Sequence, residues 1–117
     1  MSTTIIGRLT ADPNIKFTTK GTAVLNFSVA VNYKEEVSYF DCTAWGTLAT
    51  GIMDTLKKGD RVLVDGFLSQ QRWETDGQKF SKVVLTAQNC GPDLRFATAV
   101  IHPTNNVNKN TPPEEEF

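Results

Sequence analysis

Apolar and polar residues alternate along this chain with a period of two more often than with any other. From Thr22 to Asn32 the odd positions Ala23, Leu25, Phe27, Val29 and Val31 are apolar, with Asn26, Ser28 and Asn32 between them. Successive side chains of a strand point to opposite faces, so the pattern predicts a strand with its odd face buried. Thr3 to Thr10 predicts an earlier strand, stopped by Asp12-Pro13. Ser38 to Trp45 predicts a third, with Phe40, Cys42 and Ala44 inward and Tyr39, Asp41, Thr43 and Trp45 outward. From Arg61 to Leu68, Val62, Val64 and Leu68 share a face with Gly66, and a glycine inside a strand signals a bulge or sharp bend. Phe80 to Gln88 is a further strand run. The turn signal Thr75-Asp76-Gly77 joins it to the preceding one as a long hairpin.

One helix interrupts the strands. Leu48, Ile52 and Leu56 form an apolar stripe at spacing four, with Thr47 as the expected N-cap and Gly59 as the expected stop after Lys57-Lys58. Gly51 weakens its middle. The predicted fold class is therefore all-β: five strands with one short helix between the third and fourth. That is the order of the oligonucleotide-binding fold, a partly open Greek-key barrel.

The outward face of the third strand holds candidate chemistry. Tyr39 and Trp45 are large aromatics on a face expected to be solvated. They either pack under a loop or at a subunit interface, or form a platform on which nucleic-acid bases stack. Trp73 lies near the hairpin tip, where a core residue is not expected, and shares its face with Phe67, Ser69 and Gln71. Phe80 falls almost opposite it and would extend the platform; Arg72, Lys79 and Lys82 would supply cations for phosphates. Arg8 on the first strand is a further candidate, against an ordinary surface salt bridge. Tyr33 and Lys34, before Glu35-Glu36, form either a solvated turn or a contacting loop. Aromatics interleaved with basic residues suit single strands better than duplex readout, which needs a helix or ribbon in a groove.

Composition adds limits. The 117 residues suffice for one compact domain, read as 1–99. Residues 100–117 read as a disordered acidic tail: Thr104 to Pro113 is almost free of large apolar residues, and Glu114-Glu115-Glu116-Phe117 ends it. Net charge is −1, but the chain up to Arg95 has eleven Lys/Arg against ten Asp/Glu, so a local basic groove is compatible with a near-neutral body. No apolar run approaches the ~20 residues of a membrane helix, and no secretory signal is visible, so a cytoplasmic location is expected. Cys42 reads as a buried thiol and Cys90 as part of a turn; with His102 they are too scattered for a zinc site, and no metal or cofactor is implied.

At this point the chain resembles the bacterial and phage single-stranded DNA-binding proteins. The resemblance rests on an ordered set: Ile6-Gly7-Arg8-Leu9, Asp12-Pro13, Gly21-Thr22-Ala23-Val24, Asn26 to Asn32, Ala44-Trp45-Gly46, Leu56 to Asp60, Val64-Asp65-Gly66 and Arg72-Trp73. It covers about residues 3–91. The resemblance implies base-stacking aromatics at Tyr39, Trp45 and Trp73, a homotetramer built partly through first-strand contacts, and roles in DNA replication, recombination and repair. The family has a longer segment between strands 2 and 3; here it is short, with Tyr33 the only aromatic candidate. The family's acidic tail tip docks on replication and repair proteins. Glu114, Glu115, Glu116 and Phe117 retain the acidity and terminal aromatic with altered spacing.

Two other classes make distinct demands. A two-metal nuclease needs clustered carboxylates, whereas Asp41, Asp54, Asp60, Asp65 and Asp76 are dispersed and the single histidine is His102, so no enzyme is expected. A barrel used only for assembly would hide Tyr39 and Trp45 in an interface.

Overall fold

The computed structural model describes residues 2–104, and no helix among them is long and apolar enough to cross a membrane. The elements are β1 (Ser2–Leu9), β2 (Asn14–Phe17), β3 (Ala23–Tyr33), β4 (Glu36–Trp45), α1 (Gly46–Thr55), β5 (Arg61–Thr75) and β6 (Gln78–Pro92). The expected five strands and helix are present in the expected order. The short β2, pairing antiparallel with β3, is additional.

Five strands close into a ring. β1 pairs with β5, β5 with β6, β6 in parallel with β4, β4 with β3, and β3 returns to β1 through Arg8↔Ala30 and Leu9↔Val29. The odd face of β3 points inside, as its alternation requires: Ala23, Leu25, Phe27 and Val29 are buried with Cys42, Ala44, Val62, Val64 and Leu85. Thr43 stands on the outward face of β4, as expected, but is largely covered there; its hydroxyl donates to Asn26 Oδ1 at 3.0 Å, which satisfies the polar group.

Two glycines let strands cross closely. At Gly7 a Cβ would meet the Ala30 carbonyl, and at Gly66 it would fall on the Thr86 carbonyl. The β5–β6 register shifts between Asp65 and Gly66, which is the bulge the interior glycine signalled.

Helix α1 packs Ala49 and Ile52 onto the ring, followed by Leu56, while Leu48 is only partly buried. Its start differs from expectation. The N-cap is Trp45, and Gly46 at φ +63° turns the chain directly from β4 into the helix; the Thr47 carbonyl instead accepts from the Thr50 hydroxyl. The stop differs too: Leu56 caps the helix by donating to the Ile52 carbonyl, and Gly59 (φ +88°) serves the turn beyond. That turn is fastened to β1. Asp60 Oδ2 accepts from the Lys57 N–H, Asp12 Oδ1 accepts from the Lys58 N–H, and Gly59 N–H donates to the Leu9 carbonyl. The Asp12-Pro13 and Lys57–Asp60 motifs are thus a structural corner.

The final hairpin is longer than the alternation predicted. β1 accompanies β5 only to Phe67, and β4 pairs with β6 only at Val84–Thr86. Gln70–Thr75 and Gln78–Val83 therefore pair with each other alone, as a ribbon leaving the ring. Leu68, predicted inward, marks the exit and is 37% exposed. Asp76 (φ +52°) and Gly77 (φ +78°) close the hairpin in the two-residue geometry that matches strand twist. Cys90, expected in a turn, lies within β6 and is half-buried.

Candidate nucleic-acid interface

The ring's registry places the outward residues of three strands in lateral rows. Thr43 of β4 sits opposite Thr86 of β6, which sits opposite Phe67 of β5; Asp41, Val84 and Ser69 form the next row. Further along, Gln71 faces Lys82 and Trp73 faces Phe80. Tyr39 follows Asp41 and Trp45 follows Thr43 on the same face of β4, so Trp45 marks one end of the surface and the Trp73–Phe80 pair the other. At about 3.3 Å per residue, eight residues of strand separate these ends by roughly 26 Å.

The aromatics on this face are open. Tyr39 is 69% exposed, Trp45 51% and Trp73 45%, with Phe67 and Phe80 similarly uncovered. Trp73 and Phe80 stack at 5.7 Å between ring centroids with planes 19° apart. Between the aromatics runs a groove of about 310 Å³, its walls including Asn26, Ser28, Asp41, Gln71 and Lys82. Lys82 Nζ lies 3.9 Å from Asp41 Oδ2.

Other sequence candidates fall elsewhere. Arg72 and Lys79 alternate with Trp73 and Phe80 and so occupy the reverse side of the ribbon; Arg72 donates to Gln70 Oε1 at 3.0 Å. Tyr33 pairs with Glu36 on the side of the β3–β4 ribbon opposite Tyr39. It is 70% exposed at the hairpin tip, where Lys34 Nζ lies 5.4 Å from its ring centroid. Lys34 has φ +57°, a left-handed conformation costly for a residue with a Cβ. Arg8 shares a lateral row with Ala30 and Tyr39, yet its guanidinium donates to the Gly59 carbonyl at 2.8 Å rather than forming a salt bridge. Glu114, Glu115, Glu116 and Phe117 lie outside the described residues.

Sequence reasoning placed Asp41 on this face without giving it a role, and overlooked Asn26 and Ser28 as part of it. Parity would have found them: they share the outward face of their strand with Ala30. Parity also puts Arg72 one residue out of phase with Trp73.

Charge and burial separate working groups from structural ones. Arg61 is committed to Asp93, 2.7 Å away. The Arg95 backbone N–H and the Arg61 guanidinium hold the Asp93 carboxyl below its ordinary range. Burial pushes the Cys42 thiol up to about 12, with Cys90 and Asp41 adding to the effect; burial likewise raises Cys90 to about 11. Both thiols stay protonated near neutral pH, and a protonated thiol is a poor nucleophile.

Comparison with known proteins agrees with this geometry. The Single-strand binding protein family matches residues 1–93. Among similar proteins, a single-stranded DNA-binding protein of Aquifex aeolicus is 44% identical over 94 residues, covering 73% of this chain and 64% of that protein. One from Mycobacterium leprae is 38% identical over 111 residues, covering 85% and 66%. One from Treponema pallidum is 43% identical over 93 residues, covering 73% and 53%. The matched stretch thus spans between half and two thirds of each relative's length.

Proposed function

Since the chain belongs to the single-strand binding protein family, we propose that it binds single-stranded DNA without regard to sequence and performs no chemistry on it. The observation that carries this reading is the row of exposed aromatics, Tyr39, Trp45, Phe67, Trp73 and Phe80, on one continuous face around a groove with polar and apolar walls. Every base has a π-face, so stacking on such residues binds any sequence, at about 1–3 kcal/mol per base. Lys82 stands on that face for the phosphates, Arg8, Lys34 and Tyr33 act at its borders, and Arg72 and Lys79 act on the reverse of the ribbon, where a strand wrapping past its edge would meet them.

The binding unit is residues 1–99, and 100–117 form an acidic tail whose tip, Glu114 to Phe117, docks replication and repair proteins. The protein acts in the cytoplasm in replication, recombination and repair. Assembly into a homotetramer is supported by Ile6 and Leu63, apolar neighbours on the outer face that remain 41% and 37% exposed.

Titration with poly-dT while tryptophan emission is followed tests the reading: Trp45 and Trp73 should be quenched, and duplex DNA at equal nucleotide concentration should not displace the poly-dT. Unchanged emission without binding, or displacement by duplex, rejects it. Affinity should fall with salt by a log–log slope of roughly −0.7 per phosphate neutralised.

A further inference from the structure

On the assumption that this face binds single-stranded DNA, we propose that Asp41 governs its affinity by competing with DNA phosphate for Lys82. Asp41 stands between Tyr39 and Trp45 on the outward face of β4, a carboxylate in the middle of a surface that must receive a polyanion. Its side chain is 56% exposed, and Oδ2 lies 3.9 Å from Lys82 Nζ, itself 48% exposed. Both groups line the groove between the aromatics. Among the described residues, Asp41 is the only side chain with which Lys82 makes an ion pair.

A pair this open and this long is weakly held, because water and salt screen it and both side chains lose freedom to form it. It is therefore exchangeable. In the free protein the carboxylate offsets the lysine charge. On binding, a phosphate oxygen takes the ammonium, and Asp41 is left in solvent beside the strand. Asp41 thus weakens the complex twice, by holding Lys82 beforehand and by repelling phosphate afterwards. The first contribution requires Lys82 and the second does not, so the two are separable. Affinity is thereby held below what the aromatics and Lys82 alone would give.

The test measures dissociation constants for a fluorescent oligo-dT across a salt series in the full chain, Asp41→Asn, Lys82→Met and the double variant, with Asp54→Asn on α1 as a control of equal charge change. Asp41→Asn should bind several-fold more tightly at low salt, with a steeper salt dependence. Most of that gain should vanish in the Lys82→Met background, and Asp54→Asn should bind as the parent does. If Asp41→Asn binds no more tightly, or gains equally without Lys82, competition for Lys82 is wrong. An equal gain from Asp54→Asn assigns the effect to net charge and also overturns it. Asp41→Ser serves if the amide variant melts abnormally. Failure of the parent chain to bind oligo-dT rejects the single-strand reading itself, whereas parental binding with unaltered variants rejects only the role of Asp41.

Discussion

Replacing Trp73 by alanine separates binding from folding more cleanly than any other change to the interface. Trp73 lies on the part of the β5–β6 hairpin that pairs only with itself, beyond the reach of β1 and β4. Its indole is 45% exposed and touches one aromatic, Phe80, in an offset stack at 5.7 Å. An aromatic pair contributes about 0.5–1.5 kcal/mol beyond its buried area. For a domain of this size that increment alone lowers the melting temperature by roughly 2–12 °C; the lost burial of the covered part of the side chain adds to it, and unfolding stays cooperative. In the complex the loss is one stacked base, about 1–3 kcal/mol, which weakens binding about 5- to 150-fold. The assay is anisotropy of a labelled oligo-dT, paired with thermal melting followed by circular dichroism. Trp73→Phe should recover most of the affinity, because it keeps the π-face. Parental affinity in Trp73→Ala would refute the platform, and loss of the melting transition would mean that the ribbon is needed for the ring to form.

Phe27→Ala is the contrast: the ring is 8% exposed inside the core, so stability should fall by roughly 3–5 kcal/mol in denaturant melts. Gly66→Ala should destabilise by about 1–3 kcal/mol or more in the same melts, because the added Cβ meets the Thr86 carbonyl, a backbone atom that cannot rotate aside. Cys42 should resist a thiol reagent at pH 8 until the chain unfolds, and the half-buried Cys90 should react slowly; rapid labelling of Cys42 in the native protein would contradict its burial. Their raised folded values, about 12 and 11 against an ordinary 9.0, mean that the unfolded chain releases these protons first. Stability is thus fully present below about pH 9 and should decline as pH rises through the window above it, a decline that Cys42→Ala should reduce.

How much of this was legible in the sequence depended on how many faces of each element meet the core. β3 and β4 have one face in and one face out along most of their length, so alternation alone placed Phe27 inside and Tyr39 and Trp45 outside. Past Leu68 both faces of the hairpin meet water. Ser69-Gln70-Gln71-Arg72 shows no period, so alternation stopped at Leu68; the strand beyond it was legible only from the Asp76-Gly77 turn, which set Trp73 opposite Phe80. β2 escaped notice because four residues after a proline, with only Ile15 and Phe17 apolar, are too short for a pattern. Its pairing is supplied by β3.

The interface was partly legible for the same reason. Aromatic residue type and parity identified its members on β4, β5 and β6. Which cations join them depends on register between strands distant in sequence: Lys82 lies on the face, while Arg72 and Lys79 lie behind it. Thr43 was placed on the right face, but its burial there was not legible, because a polar side chain reads as solvated until its partner, Asn26, is known.

Ring closure has a consequence in time. β1 finds its partner in β5, with Arg8 opposite Arg61 and Ser2 opposite Phe67, roughly sixty residues downstream. A ribosome adding about 5–20 residues per second makes the first strand wait on the order of 3–12 s before that partner has even been synthesised. During the wait the apolar run Ile5-Ile6 has no strand to cover it. A nascent chain of this topology is therefore most vulnerable to aggregation early in its synthesis, and a block in translation ahead of Arg61 would leave a product unable to shut its core.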